Sequence, residues 1–157
     1  MKLRNSILLM ITASMILAFS CACGNESGNS GKGSFSVESA FIQESGNHLM
    51  INAEYPVVKG VAGVEDLNTE IKESVENAAE EVRSAALELE GREGFTASLN
   101  SDYQYFNNKN IASIWINFDN YTGGAHGLYW IDSYTLNTDT GQIYTFPMLF
   151  IEDKGGV

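Results

Sequence analysis

The chain has 157 residues, is 44% apolar, and carries a formal net charge of −11. Lys2 and Arg4 are the only charges in its first 20 residues, so the remainder is two units more negative still. So acidic a chain is a poor ligand for nucleic acid, whose affinity rests on Lys and Arg neutralising phosphates, and it will not adhere electrostatically to anionic lipid.

Residues 1–20 read as a targeting segment outside the fold. The basic residues Lys2 and Arg4 precede an apolar run from Ile7 to Phe19, which is shorter than the ~20 residues an ordinary membrane-spanning helix needs. Ala18-Phe19-Ser20-Cys21 resembles a bacterial lipobox, and cleavage there leaves Cys21 as a lipid-bearing first residue. Cys23 is the alternative lipid site; a Cys21–Cys23 disulfide would close an unfavourably tight ring. With no further cysteine, the exported domain rests on its hydrophobic core. Residues 21–34 form a lipidated start and a Gly/Ser-rich tether without apolar residues, ~10 residues reaching roughly 17 Å. Residues 35–157 suit a single domain.

In chain order, Ser34–Ile42 reads as a strand, Glu44–Asn47 as a turn, and His48–Tyr55 as a second strand ended by Pro56. Val64–Glu90 is the one long helix, with Leu67, Ile71, Val75, Ala78, Val82, Ala85 and Leu89 along one stripe and glutamates on the outer face. Phe95–Tyr105 alternates as a strand, and Asn107–Asn110 turns on residues that tolerate left-handed angles. Ile111–Phe118 and Leu128–Leu136 are strands flanking a glycine block, and Gln142–Phe146 a short last one. The fold class that buries one helix stripe and one sheet face is α+β, a two-layer sandwich of a mainly antiparallel sheet with the helix on one face.

The glycine block, Tyr121-Thr122-Gly123-Gly124-Ala125-His126-Gly127, holds the candidates for a structural loop: Tyr121, Gly123, Gly124, His126 and Gly127. The Gly-Gly pair offers backbone angles with φ > 0. His126 could act as a general base oriented by Asp119 or Asp132, but a side chain bonded to the loop backbone is the favoured reading. Only His48 and His126 are present, and no Gly-x-Ser-x-Gly elbow or phosphate-loop pattern occurs. No catalytic residue, metal site or cofactor is therefore expected. Trp115, Tyr129 and Trp130 are the candidate binding residues, since an outward aromatic strip suits glycan or protein recognition. Cross-strand aromatic pairing inside the sheet explains the same residues, and the alternation leaves both readings open.

Tyr55-Pro56, Asn68, the Tyr121–Gly127 block, and Thr140-Gly141 followed by Met148-Leu149-Phe150 together resemble the PdaC/RsiV-type extracellular domain of Gram-positive bacteria. The resemblance runs from about Leu49 to Phe150 and implies an α+β fold outside the cell. In some members the domain precedes a polysaccharide deacetylase module; in others it belongs to a membrane anti-sigma factor that senses lysozyme. Neither activity carries over, because the metal-binding residues of the deacetylase module and the cytoplasmic sigma-binding segment are not found here. The expectation is a non-catalytic envelope lipoprotein, lipid-anchored on the outer face of the cytoplasmic membrane. Its partner would be a basic wall-active protein such as lysozyme, or a wall glycan. The alternatives are a wall-modifying enzyme using His126 and an aspartate, or a fragment of a longer two-domain protein. The apolar stretch Phe146–Ile151 is expected to lack cover.

Overall fold

A computed structural model describes residues 34–145 and Met148. The leader, Cys21 and Cys23, almost all of the tether, and Phe146–Ile151 apart from Met148 lie outside the described residues. Two strands, β1 (Ser36–Gly46) and β2 (Leu49–Lys59), precede the helix α1 (Glu65–Glu88). Three more follow it: β3 (Ala97–Asn108), β4 (Ile111–Tyr121) and β5 (Leu128–Asn137). They form one sheet in the order β1-β2-β3-β4-β5. All neighbours are antiparallel except β2 and β3, which run parallel because α1 connects them. This is an α+β sandwich with one helix on one face of the sheet.

Helix and sheet meet through the periodicities of their sequences. Leu67, Ile71, Val75, Ala78, Ala79, Val82 and Ala86 are buried along α1. Of the expected stripe only Ala85 is half-buried, with Ala86 buried beside it, and Leu89 just past the helix end is buried as expected. No side chain caps the N-terminus, but Glu65 and Asp66 sit in the first turn, where the helix dipole favours acid. In β4 the alternation is strict: Ala112, Ile114, Ile116, Phe118 and Asn120 are buried, and the residues between them, Ser113 to Asp119, are half-buried on the other face. Beneath the helix, Phe118 stacks on Trp130 of β5, with centroids 4.6 Å apart and rings 3° from parallel.

Pro56 does not end β2, contrary to the sequence expectation; the strand continues to Lys59, with Pro56 opposite Ser39 of β1. The reason is which edge the missing N–H would have faced. A two-residue hairpin turn at Asn47-His48 makes Gly46 and Leu49 a hydrogen-bonded pair, so the even-numbered residues of β2 turn their backbone toward β3. The β2–β3 ladder stops at Ala53–Ser101. Beyond it, Ser101 Oγ donates to the Glu54 carbonyl at 2.9 Å, and Pro56 has no N–H to satisfy. At Val58 the Asn68 side-chain amide takes over, accepting from the Val58 N–H at 2.8 Å and donating to the Val58 carbonyl at 2.9 Å.

Two further expectations are corrected. The left-handed angles at the tight turns fall on His48 (φ 62) and Lys109 (φ 57), not on the asparagines beside them. Over Gln142–Thr145, the described part of the expected last strand, the trace is a single antiparallel bridge, Leu136 to Ile143, at the outer edge of β5.

The hairpin is tied to the helix by Arg83, whose Nη2 lies 2.5 Å from Glu44 Oε1, with Glu80 and Glu76 at 3.1 and 3.8 Å. Hydrogen bonding to Arg83 holds the Glu44 carboxyl below its ordinary value of 4.5. A depressed folded-state value means the contribution is complete above 4.5 and is lost as pH falls through the folded value. Because both side chains are partly exposed, Glu44→Gln should lower stability at neutral pH by no more than about 1 kcal/mol. Paired urea titrations of wild type and variant at pH 7 and pH 3 should show that difference shrink on acidification; a constant difference would mean the ion pair is not its source.

Candidate functional site

The sheet has two unlike faces. Helix α1 covers the first, lying mainly over β2 and β3. No helix among the described residues covers the second, and register brings chemistry together there. Gln43, Asn52, Asn100, Asp119 and Tyr129 are paired neighbour to neighbour across all five strands. At ~4.8 Å between strands, this row is roughly 19 Å long. Beside it, Phe41 pairs with Glu54, and Asp102 with Asn117. Apart from Gln43, these residues line a shallow concavity of about 530 Å³, with the exposed rings of Phe41 and Tyr129 at opposite ends.

Neighbouring side chains set the orientation of several of these groups. Gln43 Nε2 donates to Asn52 Oδ1 at 3.0 Å, Ser39 Oγ to Glu54 Oε1 at 2.6 Å, and Asn117 Nδ2 to Asp102 Oδ1 at 2.5 Å. The concavity thus presents partly oriented amides and carboxylates between two aromatic surfaces, and no Lys or Arg lines it. Such a surface can offer hydrogen bonds to a row of hydroxyl and amide groups and stack against apolar ring faces.

The residues singled out in the sequence are divided between the two faces. Trp115 and Tyr121 belong to the open-face set of β4, and Tyr129, opposite Asp119, to that of β5. Trp130 does not join them: strand alternation places it on the helix side, half-buried against Phe118. His126 is exposed in the β4–β5 loop, where Nδ1 donates to the Gly127 carbonyl at 3.1 Å. Asp132 faces the helix instead and accepts from Ser74 Oγ at 2.6 Å. The other histidine, His48, donates from Nδ1 to the Phe95 carbonyl at 2.7 Å and fastens the hairpin turn to the start of β3. Among the described residues, no three His, Cys, Asp or Glu side chains converge as a metal site would require. Asn52, Asn100, Asn117, Glu54 and Asp102 went unnoticed in the sequence because only the register of three separate strands makes them neighbours.

Of the Gly-Gly pair, only Gly123 takes a left-handed angle (φ +93), and a Cβ there would lie 3.0 Å from Leu89 Cδ2 at the helix end. At Gly124 the nearest atom is 3.9 Å away. Gly123→Val should therefore destabilise by about 2–3 kcal/mol, and Gly124→Val by less than about 1 kcal/mol. Thermal melts of the two variants decide this; equal losses would mean the loop is not held through Gly123.

A single helix crossing one face of a five-stranded sheet, with the other face open, places the chain among α+β domains already seen in crystals. The structure of a DUF3298 family protein from Pseudomonas aeruginosa PAO1 superposes with a TM-score of 0.51 at 13% identity, covering 79% of this chain and 61% of that one. A DUF3298 family member from Bacteroides fragilis aligns with a TM-score of 0.40 at 17% identity, covering 68% of this chain and 57% of that one. The chain thus spans about three fifths of the length of these solved structures. No curated protein matches it. The family described as Deacetylase PdaC matches residues 42–129, more than half of the 157, and the chain belongs to that family.

Proposed function

We propose that this protein is a non-catalytic recognition domain of the cell envelope that binds a glycan on the open face of its sheet. The carrying observation is the five-strand row Gln43–Asn52–Asn100–Asp119–Tyr129, which ends on the Tyr129 ring and has Phe41 beside its other end. A row of amides and a carboxylate suits the hydroxyl and amide groups of an extended saccharide, and the end aromatics suit its ring faces. The leader-like segment and Cys21 support a lipid anchor at the outer surface of the cytoplasmic membrane. The word deacetylase describes the family.

The test is calorimetric titration of the purified protein with β-linked N-acetylhexosamine oligosaccharides. Tyr129→Ala should weaken binding about tenfold, equivalent to ~1.4 kcal/mol, while leaving the melting temperature nearly unchanged because the ring is 73% exposed. Hydrolysis of the acetyl group during the titration would replace this reading with an enzymatic one.

One observation favours a second reading. Glu54, Asp102 and Asp119 all line the same concavity, and a basic wall-active protein such as lysozyme could be held there through charge. Its binding would fall steeply with salt, whereas glycan binding would not.

A further inference from the structure

The outer edge of β5 is used over only part of its length. Asn137 N–H donates to the Gln142 carbonyl at 2.8 Å, and Tyr144 N–H donates to the Thr135 carbonyl at 2.7 Å. The chain therefore lays a three-residue segment against Thr135–Asn137, bridged at Leu136 and Ile143. These bonds also show which residues face outward: the odd-numbered ones present their N–H and C=O to the edge. By strand alternation, Tyr129, Ile131 and Ser133 do the same, while Trp130, Asp132 and Tyr134 bond inward to β4.

Among the described residues, nothing on this part of the strand guards the edge in the usual ways. Leu128, Tyr129 and Ile131 are 60%, 73% and 63% exposed, and β5 contains neither lysine nor proline. Its one inward-facing charge, Asp132, is engaged by Ser74. Along the same edge lies a shallow cleft of about 350 Å³, lined by Glu70, Ser74, Ile131, Asp132, Ser133 and Tyr134. The cleft is electronegative: burial, and then the charges of Asp132 and Glu70, push the Tyr134 phenol up to about 12.

We propose that the edge Leu128–Tyr134 binds an extended peptide strand of alternating basic and apolar residues, which continues the line begun by residues 142–144 as a sixth strand of the sheet. Backbone groups of Tyr129, Ile131 and Ser133 supply the ladder. The partner's basic residues reach the Glu70 and Asp132 side, and its apolar residues pack beside Tyr129 and Ile131 on the open face. Seven paired residues span roughly 23 Å, a usual strand length.

The experiment uses the full chain and three synthetic heptapeptides: one alternating lysine and valine, one alternating glutamate and valine, and the lysine peptide with proline at its centre. Amide exchange followed by NMR should show Tyr129, Ile131 and Ser133 exchanging freely in the unliganded protein and protected by the lysine peptide alone. Ile131→Pro removes only an edge-facing N–H, so it should abolish this binding while β4–β5 protection persists. Glu70→Gln combined with Asp132→Asn should weaken binding at least tenfold. As a variant that keeps the backbone donor, Ile131→Val should bind like wild type. Four results would overturn the proposal: protection of these amides without peptide, equal binding of the glutamate peptide, binding that survives Ile131→Pro, or self-association of the protein that Ile131→Pro abolishes. The last would make a second copy the occupant.

Discussion

Replacing Gly141 by alanine should destabilise the protein by about 3 kcal/mol or more, and lower Tm by roughly 10–20 °C. Two effects add. Gly141 is buried and holds φ +74, a conformation strained for any residue with a Cβ. A Cβ there would also sit 2.0 Å from the Ala62 carbonyl oxygen, which is backbone and cannot rotate away. The position closes the turn after β5, where Gly141 N–H donates to the Asn137 carbonyl at 2.8 Å, and it packs that turn against the segment leading into α1. Differential scanning calorimetry of Gly141→Ala beside Gly124→Ala measures the effect directly. A Gly141→Ala melt within 3 °C of wild type would show that Ala62 moves aside freely and that the turn does not brace the helix entry.

The second large effect belongs to Asn68. Its side-chain amide fills the place that a β3 residue would take beside Val58, a fully buried position. Asn68→Ala leaves a backbone N–H and C=O without partners, which should cost about 2–4 kcal/mol in total. Asn68→Asp keeps an acceptor for the N–H but sets a carboxylate against the Val58 carbonyl, so it should recover little of the loss at neutral pH. Hydrogen exchange separates this account from simple helix weakening, because the Val58 amide should lose protection in Asn68→Ala more than the amides in the middle of α1. Loss of protection spread evenly along the helix would show that the amide pair is incidental.

The two layers were legible in the sequence because their signals are local. The helix stripe from Leu67 to Val82 and the alternation from Ile111 to Phe118 need only neighbouring residues to be read. Pro56 misled because a proline ends a strand only when the lost N–H faces a partner, and where the β2–β3 ladder stops is set by long-range pairing. Trp115, Tyr129 and Trp130 read as candidate binding aromatics, although alternation alone sets Trp130 on the face opposite Tyr129. Which face the helix covers is what decides between them, and Trp130 falls on the helix side, its ring taken up by Phe118. The open-face row was illegible for the same reason as the proline: its members come from five strands, and only the register aligns them. Segments 43–52 and 100–129 become one surface only after α1 has set β3 parallel to β2.

The measurement that bears most directly on the proposed role is an NMR titration of the protein with a β-linked N-acetylhexosamine tetrasaccharide, at low and at high salt. The account expects shifts confined to the amides of Asn52, Asn100, Asn117, Asp119 and Tyr129 and the side-chain amides beside them, saturating alike at both salt concentrations and lost in Tyr129→Ala. No shifts at millimolar saccharide, or shifts gathered on the helix while the open face stays silent, would contradict it.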